Sequence, residues 1–224
     1  MLIKEDHIEE AKHDLHVLTA SDPGFAPAFY SLGLIQLKHE DMDGAIQYFE
    51  KTLSLGADDA LVHYLLATAL TRKGDNKRAK ASYLKAIEKN PSMESAYHDL
   101  GMLYYLTGEF DKSVGSLRTA LKLAPASTTT MLMLGMAYIK AGKPENAVEF
   151  VTSLRQANDE TKAVKLENVL RESQAKRTYK EPDKQFLTPG GATTKTSSLS
   201  QSKGKMSVTG NAKMNMKAGK EKTR

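Results

Sequence analysis

Small-residue couplets recur every 34 residues along this chain, at Leu32-Gly33, Leu66-Ala67, Leu100-Gly101 and Leu134-Gly135. A period of this size predicts a stack of helix pairs in which each pair buries its apolar face against the next, with no single central core. Other positions keep the same step. Four residues before the small member stand Phe29, His63, Tyr97 and Met131; twelve after it stand Ala45, Ala79, Ser113 and Ala147. Phe49, Tyr83, Leu117 and Val151 follow, then Thr52, Ala86, Ala120 and Leu154. Pro91 and Pro125 close two of the units, where Ala57 and Asp159 stand in the others.

Within each unit the apolar residues fall at spacings of three and four, as in Tyr97, Leu100, Gly101 and Tyr104, so they share one helix face. A second segment repeats the pattern with Ala79, Tyr83 and Ala86. Small residues on both segments let two backbones approach, which predicts an antiparallel helical hairpin. The turn chemistry agrees. Gly74, Gly108 and Gly142 sit at the turns inside the last three units, where the first has Glu40, and Gly74-Asp75-Asn76 can end one helix and cap the next. Asn90-Pro91-Ser92 interrupts the chain between hairpins, and Pro144 falls in the first turn of its helix, where a missing N–H is tolerated.

This pattern resembles the tetratricopeptide repeat family, whose unit reads Trp-x-x-Leu-Gly-x-x-Tyr, then Ala-x-x-x-Phe, then Pro over 34 residues. The match covers residues 26–159 as four tandem units, 26–59, 60–93, 94–127 and 128–159. The chain departs from the pattern in having no Trp, with Gln36 and Leu70 where tyrosine is expected, and neither change breaks the apolar period. The resemblance implies an all-α, right-handed solenoid, a noncatalytic role in binding other proteins, and a concave groove lined by the first helix of each unit.

Both ends depart from whole repeats. Stepping the register back places Ala11, Leu15, Leu18 and Pro23 on a second-type helix, so residues 1–25 read as half a repeat. It is expected either to cap the array or to continue a longer one, and the entry of Met1 near mid-register favours the latter. Residues 160–176, with Val164, Leu166, Val169 and Leu170, read as a polar capping helix. Residues 177–224 carry nine Lys and two Arg against Glu181, Asp183 and Glu221. That segment is therefore +8 in a chain of net charge +5, leaving −3 for the remainder. Rich in Ser, Thr, Gly and Lys, with Tyr179 and Phe186 its only aromatics, it is expected to be disordered.

No glycine-rich phosphate loop, nucleophile elbow, zinc-protease motif or dinucleotide fingerprint is present, and the absence of Cys excludes disulfides and thiolate zinc sites. His7, His13 and His16, near Glu9, Glu10 and Asp14, are the only cluster with ligand character; a solvated polar helix accounts for them, and neither metal nor cofactor is expected. No apolar run approaches a membrane span and the first residues are unlike a signal peptide, so the expected location is cytoplasmic.

The expected function is that of a noncatalytic scaffold binding a helical or extended apolar segment of a protein partner. The stripe beside the hairpin-facing residues points into the implied groove: Tyr30, Leu34 and Leu37; Tyr64, Thr68 and Thr71; His98, Met102 and Tyr105; Leu132, Met136 and Ile139. Tyr30, Tyr64 and Tyr105 are its leading contacts, and some of the others are expected to pack between neighbouring first helices. The family's carboxylate clamp, a set of Lys, Asn and Arg, is missing, because Tyr30, Ser31, Leu34, Leu61 and Leu65 hold the matching positions. Two further expectations are contact of the basic segment with nucleic acid or an anionic membrane surface, and self-association, with the chain's own half-repeat or tail, or another copy of the chain, occupying the groove. Tyr179 to Thr188 reads as a short docking motif, and the eleven Ser and Thr from Thr188 onward as phosphorylation sites.

Overall fold

The computed structural model describes residues 5–178; the basic Ser/Thr/Lys-rich segment and the motif from Tyr179 to Thr188 lie outside the described residues. Among the described residues every regular element is a helix. The first is α1 (Glu5–Ser21), which packs on α2. Four hairpins follow: α2 (Ala26–Lys38) with α3 (Met42–Ser54), α4 (Ala60–Lys73) with α5 (Asn76–Lys89), α6 (Glu94–Leu106) with α7 (Phe110–Leu123), and α8 (Thr128–Lys140) with α9 (Val148–Gln156). A 3-10 turn over Pro144–Ala147 leads into α9, and α10 (Glu160–Thr178) covers α8 and α9. Pro144 is tolerated there because the opening turn asks nothing of its missing N–H.

The couplets are where the hairpins close. A Cβ added to Gly33 would lie 2.7 Å from the Phe49 ring, and one added to Gly101 would lie 2.6 Å from Leu117 Cγ and 3.2 Å from its backbone nitrogen. The alanine-like positions Ala45, Ala79, Ser113 and Ala147 are completely buried. A serine is accepted among them because Ser113 Oγ donates to the Gly101 carbonyl at 2.7 Å, joining the two helices of its hairpin. The fourth unit closes differently: beside Gly135 the near neighbour is Leu166 of α10, at 2.6 Å, in place of a residue from its own second helix.

Helix starts are capped by Asp41, Asp59, Asp75 and Ser127, whose side chains accept from backbone N–H groups two or three residues on. Inside the hairpins Gly74, Gly108 and Gly142 take left-handed φ of 87°, 79° and 79°. Glu40 is driven into the same region at φ 60°, although it carries a side chain. Asn90 Oδ1 accepts from Ser92 N, forming the Asx turn before α6.

Cross-unit ion pairs join neighbouring hairpins: Lys73 with Asp43, Arg78 with Glu50, Lys80 with Glu109, and Lys143 with Asp111 at 2.8 Å. Pairs as open to solvent as Lys73–Asp43 and Lys143–Asp111 contribute little individually. Glu109 is the most heavily engaged. It accepts from Lys112 at 2.7 Å, from Lys80 and from Thr107 Oγ1, and its carboxyl is pushed down to about 2.

Three outcomes follow for stability. Glu40→Gly should raise the urea midpoint by the equivalent of about 1 kcal/mol, by removing left-handed strain. Gly101→Ala should lower it by about 1–3 kcal/mol, because the added methyl meets backbone as well as side chain. For Glu109→Gln the sign is set by a folded pKa below the ordinary 4.5. The carboxylate stabilises fully above that value, and its contribution is lost as pH falls through about 2. Chemical denaturation should therefore show the variant weaker than wild type near neutrality, with the difference closing across that acid window.

Candidate binding groove

The first helices α2, α4, α6 and α8 are moderately apolar on more than one face, so after the hairpin side is buried a second stripe remains. The twelve residues assigned to that stripe do not share one environment. Tyr30, Leu37, Tyr64, Met102, Tyr105 and Met136 are half-buried, and Leu34 is 37% exposed. Leu132 and Ile139, each 7% exposed, belong instead to the buried cluster that α10 completes with Ala163, Leu166 and Leu170. Of the three residues on α8, Met136 is the one left at the surface.

The polar atoms of the stripe are largely spent inside the protein. Thr68 Oγ1 donates to the Tyr64 carbonyl at 3.0 Å and Thr71 Oγ1 to that of Ala67 at 2.8 Å, so neither hydroxyl proton is free for a ligand. Tyr64 Oη donates to Asp99 at 2.8 Å, tying α4 to α6, while its ring meets Tyr83 at 5.9 Å. Burial and the adjoining Asp99 carboxylate hold that phenol well above its usual range. His98 Nδ1 lies 2.9 Å from Thr130 Oγ1, joining α6 to α8. Tyr105, its phenol raised by burial, packs edge-on against Phe110 at 5.6 Å.

Two cavities adjoin the stripe. The first, about 340 Å³, lies between the first two units and is lined by Ala26, Pro27, Tyr30, Thr52, Ala57, Asp59, Leu61 and Val62. Burial, reinforced by Asp59, raises the Tyr30 phenol. The second, about 310 Å³, is lined by Ile139 and Lys140 of α8 with Val169, Glu172, Ser173 and Lys176 of α10. Pro27, Asp59 and the α10 residues lie outside the stripe that the spacing predicts. Carrying the three-and-four spacing one unit further, into residues 160–176, was the signal available for the last group.

The surface is suited to burying apolar side chains. On α1, His7 stands 3.8 Å from Glu10 while the His16 ring lies 6.4 Å from that of Tyr48, so these two histidines do not converge. Among the described residues no group of three or more acidic or imidazole side chains is placed to hold a metal ion, and no helix is long and apolar enough to cross a membrane.

Two family models, both of the tetratricopeptide repeat, match the chain: one over residues 36–101, the other over residues 2–60 and 99–163. Superkiller protein 3 of Schizosaccharomyces pombe is 24% identical over 152 residues, which is 65% of this chain and 11% of that protein. The TPR repeat-containing protein YpiA of Bacillus subtilis is 34% identical over 83 residues, 37% of this chain and 20% of that one. The chain thus spans a fifth or less of the length of these relatives. The crystal structure of MamA superposes with a TM-score of 0.60 at 21% identity, over 76% of this chain and 91% of that one. That of YrrB, a TPR protein with an unusual peptide-binding site, superposes with a TM-score of 0.67 at 22% identity, over 73% and 84%. Proteins of this kind generally mediate protein–protein interactions. A 34-residue register carried by four successive hairpins, together with family matches across most of residues 2–163, places this chain in the tetratricopeptide repeat family.

Proposed function

We propose that this protein is a noncatalytic scaffold that holds an apolar helical or extended segment of a partner protein against α2, α4, α6 and α8. The observation that carries this reading is a row of half-buried aromatic and thioether side chains, Tyr30, Tyr64, Met102, Tyr105 and Met136, whose neighbouring hydroxyls already bond within the chain. Burying these side chains fully against a partner removes apolar surface from water while breaking few internal hydrogen bonds. Methionines at one end adapt to irregular partner shapes, and rigid tyrosines along the row supply anchors. The cavity beside Tyr30 adds room for one larger side chain, with the Asp59 carboxylate at its edge. The peptide-binding site of YrrB, on a similarly folded chain, supports the same reading.

The double variant Tyr64→Ala plus Tyr105→Ala, compared with wild type in pull-downs from the native source, should lose the principal partners. Tyr64→Phe should retain most of them, because it removes the bond to Asp99 and keeps the ring. An unchanged partner set in the double variant would overturn the groove reading.

A further inference from the structure

A cleft of about 320 Å³ opens between the second helices α5 and α7, and none of its lining residues belongs to the groove stripe. Leu84, Ile87, Tyr97 and Tyr104 form its apolar surface, and Gly115 with Thr119 forms its α7 side. Leu84 is 49% exposed there. One period earlier, between α3 and α5, the positions matching Leu84 and Lys112 hold Glu50 and Arg78, which form an ion pair across the gap. In the α5–α7 gap Lys112 turns to Glu109 at 2.7 Å, and Leu84 has no charge to pair with it.

Gly115 is the second observation. It lies inside α7 and is exposed, it takes no left-handed φ, and a Cβ built on it would meet nothing within 4 Å. A mid-helix glycine costs about 1 kcal/mol relative to alanine. Neither backbone conformation nor internal packing at this site requires that cost. A glycine in such a place lets an outside group come down onto the helix backbone.

Charge identifies the visitor. Helix α5 carries five cations against Glu88, and α7 three against Asp111, whereas the chain without its basic C-terminal segment is net negative. At one end of the cleft the ammonium groups of Lys80 and Lys112 lie 5.4 and 5.5 Å from the centroid of the Tyr104 ring. Both ammoniums share the one Glu109 carboxylate, which leaves this end of the cleft with a surplus positive charge, and Lys77 on α5 makes no ion pair among the described residues; Arg118 and Lys122 line the next gap, beside Tyr138 and Glu149. A polyanion without apolar groups would leave Leu84 and Ile87 uncovered, so the lining favours protein.

We propose that the α5–α7 cleft is a second docking site, which takes one bulky aliphatic or aromatic side chain from an acidic protein segment as that segment crosses over Gly115. The site is independent of the groove and would let the scaffold hold two partners on different helix sets.

The test is an amide-resolved NMR titration of the full chain with a helical peptide of glutamate and alanine bearing one central leucine. Shifts should localise to Leu84, Gly115, Ser116 and Thr119, and should weaken with added salt. Replacing the central leucine by alanine should weaken binding about tenfold. Gly115→Gln should abolish the response while leaving the thermal midpoint at or above that of wild type, so lost binding cannot be ascribed to unfolding. The Tyr64→Ala plus Tyr105→Ala variant should respond as wild type does, which separates this site from the groove. The proposal is overturned if no shifts occur at these amides, if the alanine peptide binds equally well, if Gly115→Gln responds like wild type, or if an oligonucleotide or anionic vesicle shifts the same amides more strongly.

Discussion

Each of the first three hairpins is closed at one small spot, where a glycine or alanine on the first helix lies under the second helix. At Gly33 and Gly101 the space for a methyl group is already filled by Phe49 and Leu117. That close approach sets the spacing between the helices, and the spacing determines which other side chains reach each other. Ser113 can bond the Gly101 carbonyl only because the backbones are this near, and Ala79, Ala86 and Ala120 are buried completely for the same reason. Stacking the hairpins then turns the remaining faces of the first helices into one surface and those of the second helices into another.

Polar chemistry in this fold is used mostly to join units. Tyr64 to Asp99 and His98 to Thr130 cross from one first helix to the next, while Lys73 to Asp43 and Lys143 to Asp111 cross at the turns. Among the described residues no buried side-chain polar atom lacks a partner. The binding faces therefore present apolar area as their main resource, with charge distributed around them and net positive charge heaviest on α5.

Much of this was legible in the residues alone, because a period of 34 carries helix pairing, turn position and helix face together. The couplets, Asp75 as a cap and Gly74 as a stop all act over short distances, so spacing reveals them. What spacing could not reveal came from the last hairpin. Val151 occupies the register position that should press on Gly135, but a 3-10 start and a shorter α9 accompany a closure in which Leu166 takes that contact. Leu132 and Ile139 become core through the same rearrangement, since a capping helix that inserts a leucine covers more than one that merely lies on top. Hydrogen bonds within the stripe were equally invisible, because a threonine that bonds its own helix and one that faces a ligand look alike in sequence.

The two ends of the stack differ as thermal boundaries. Ala11 and Leu18 of α1 occupy positions whose equivalents are buried in all four hairpins, yet here they are exposed, and Leu15 is only half-covered. At the other end Leu166 of α10 is completely buried against Gly135 of α8. In a linear array whose stability is a sum of units and nearest-neighbour interfaces, such an imbalance gives the molecule a direction. In a polypeptide limited to residues 5–178, amide protons should therefore exchange earlier in α1 than near α8.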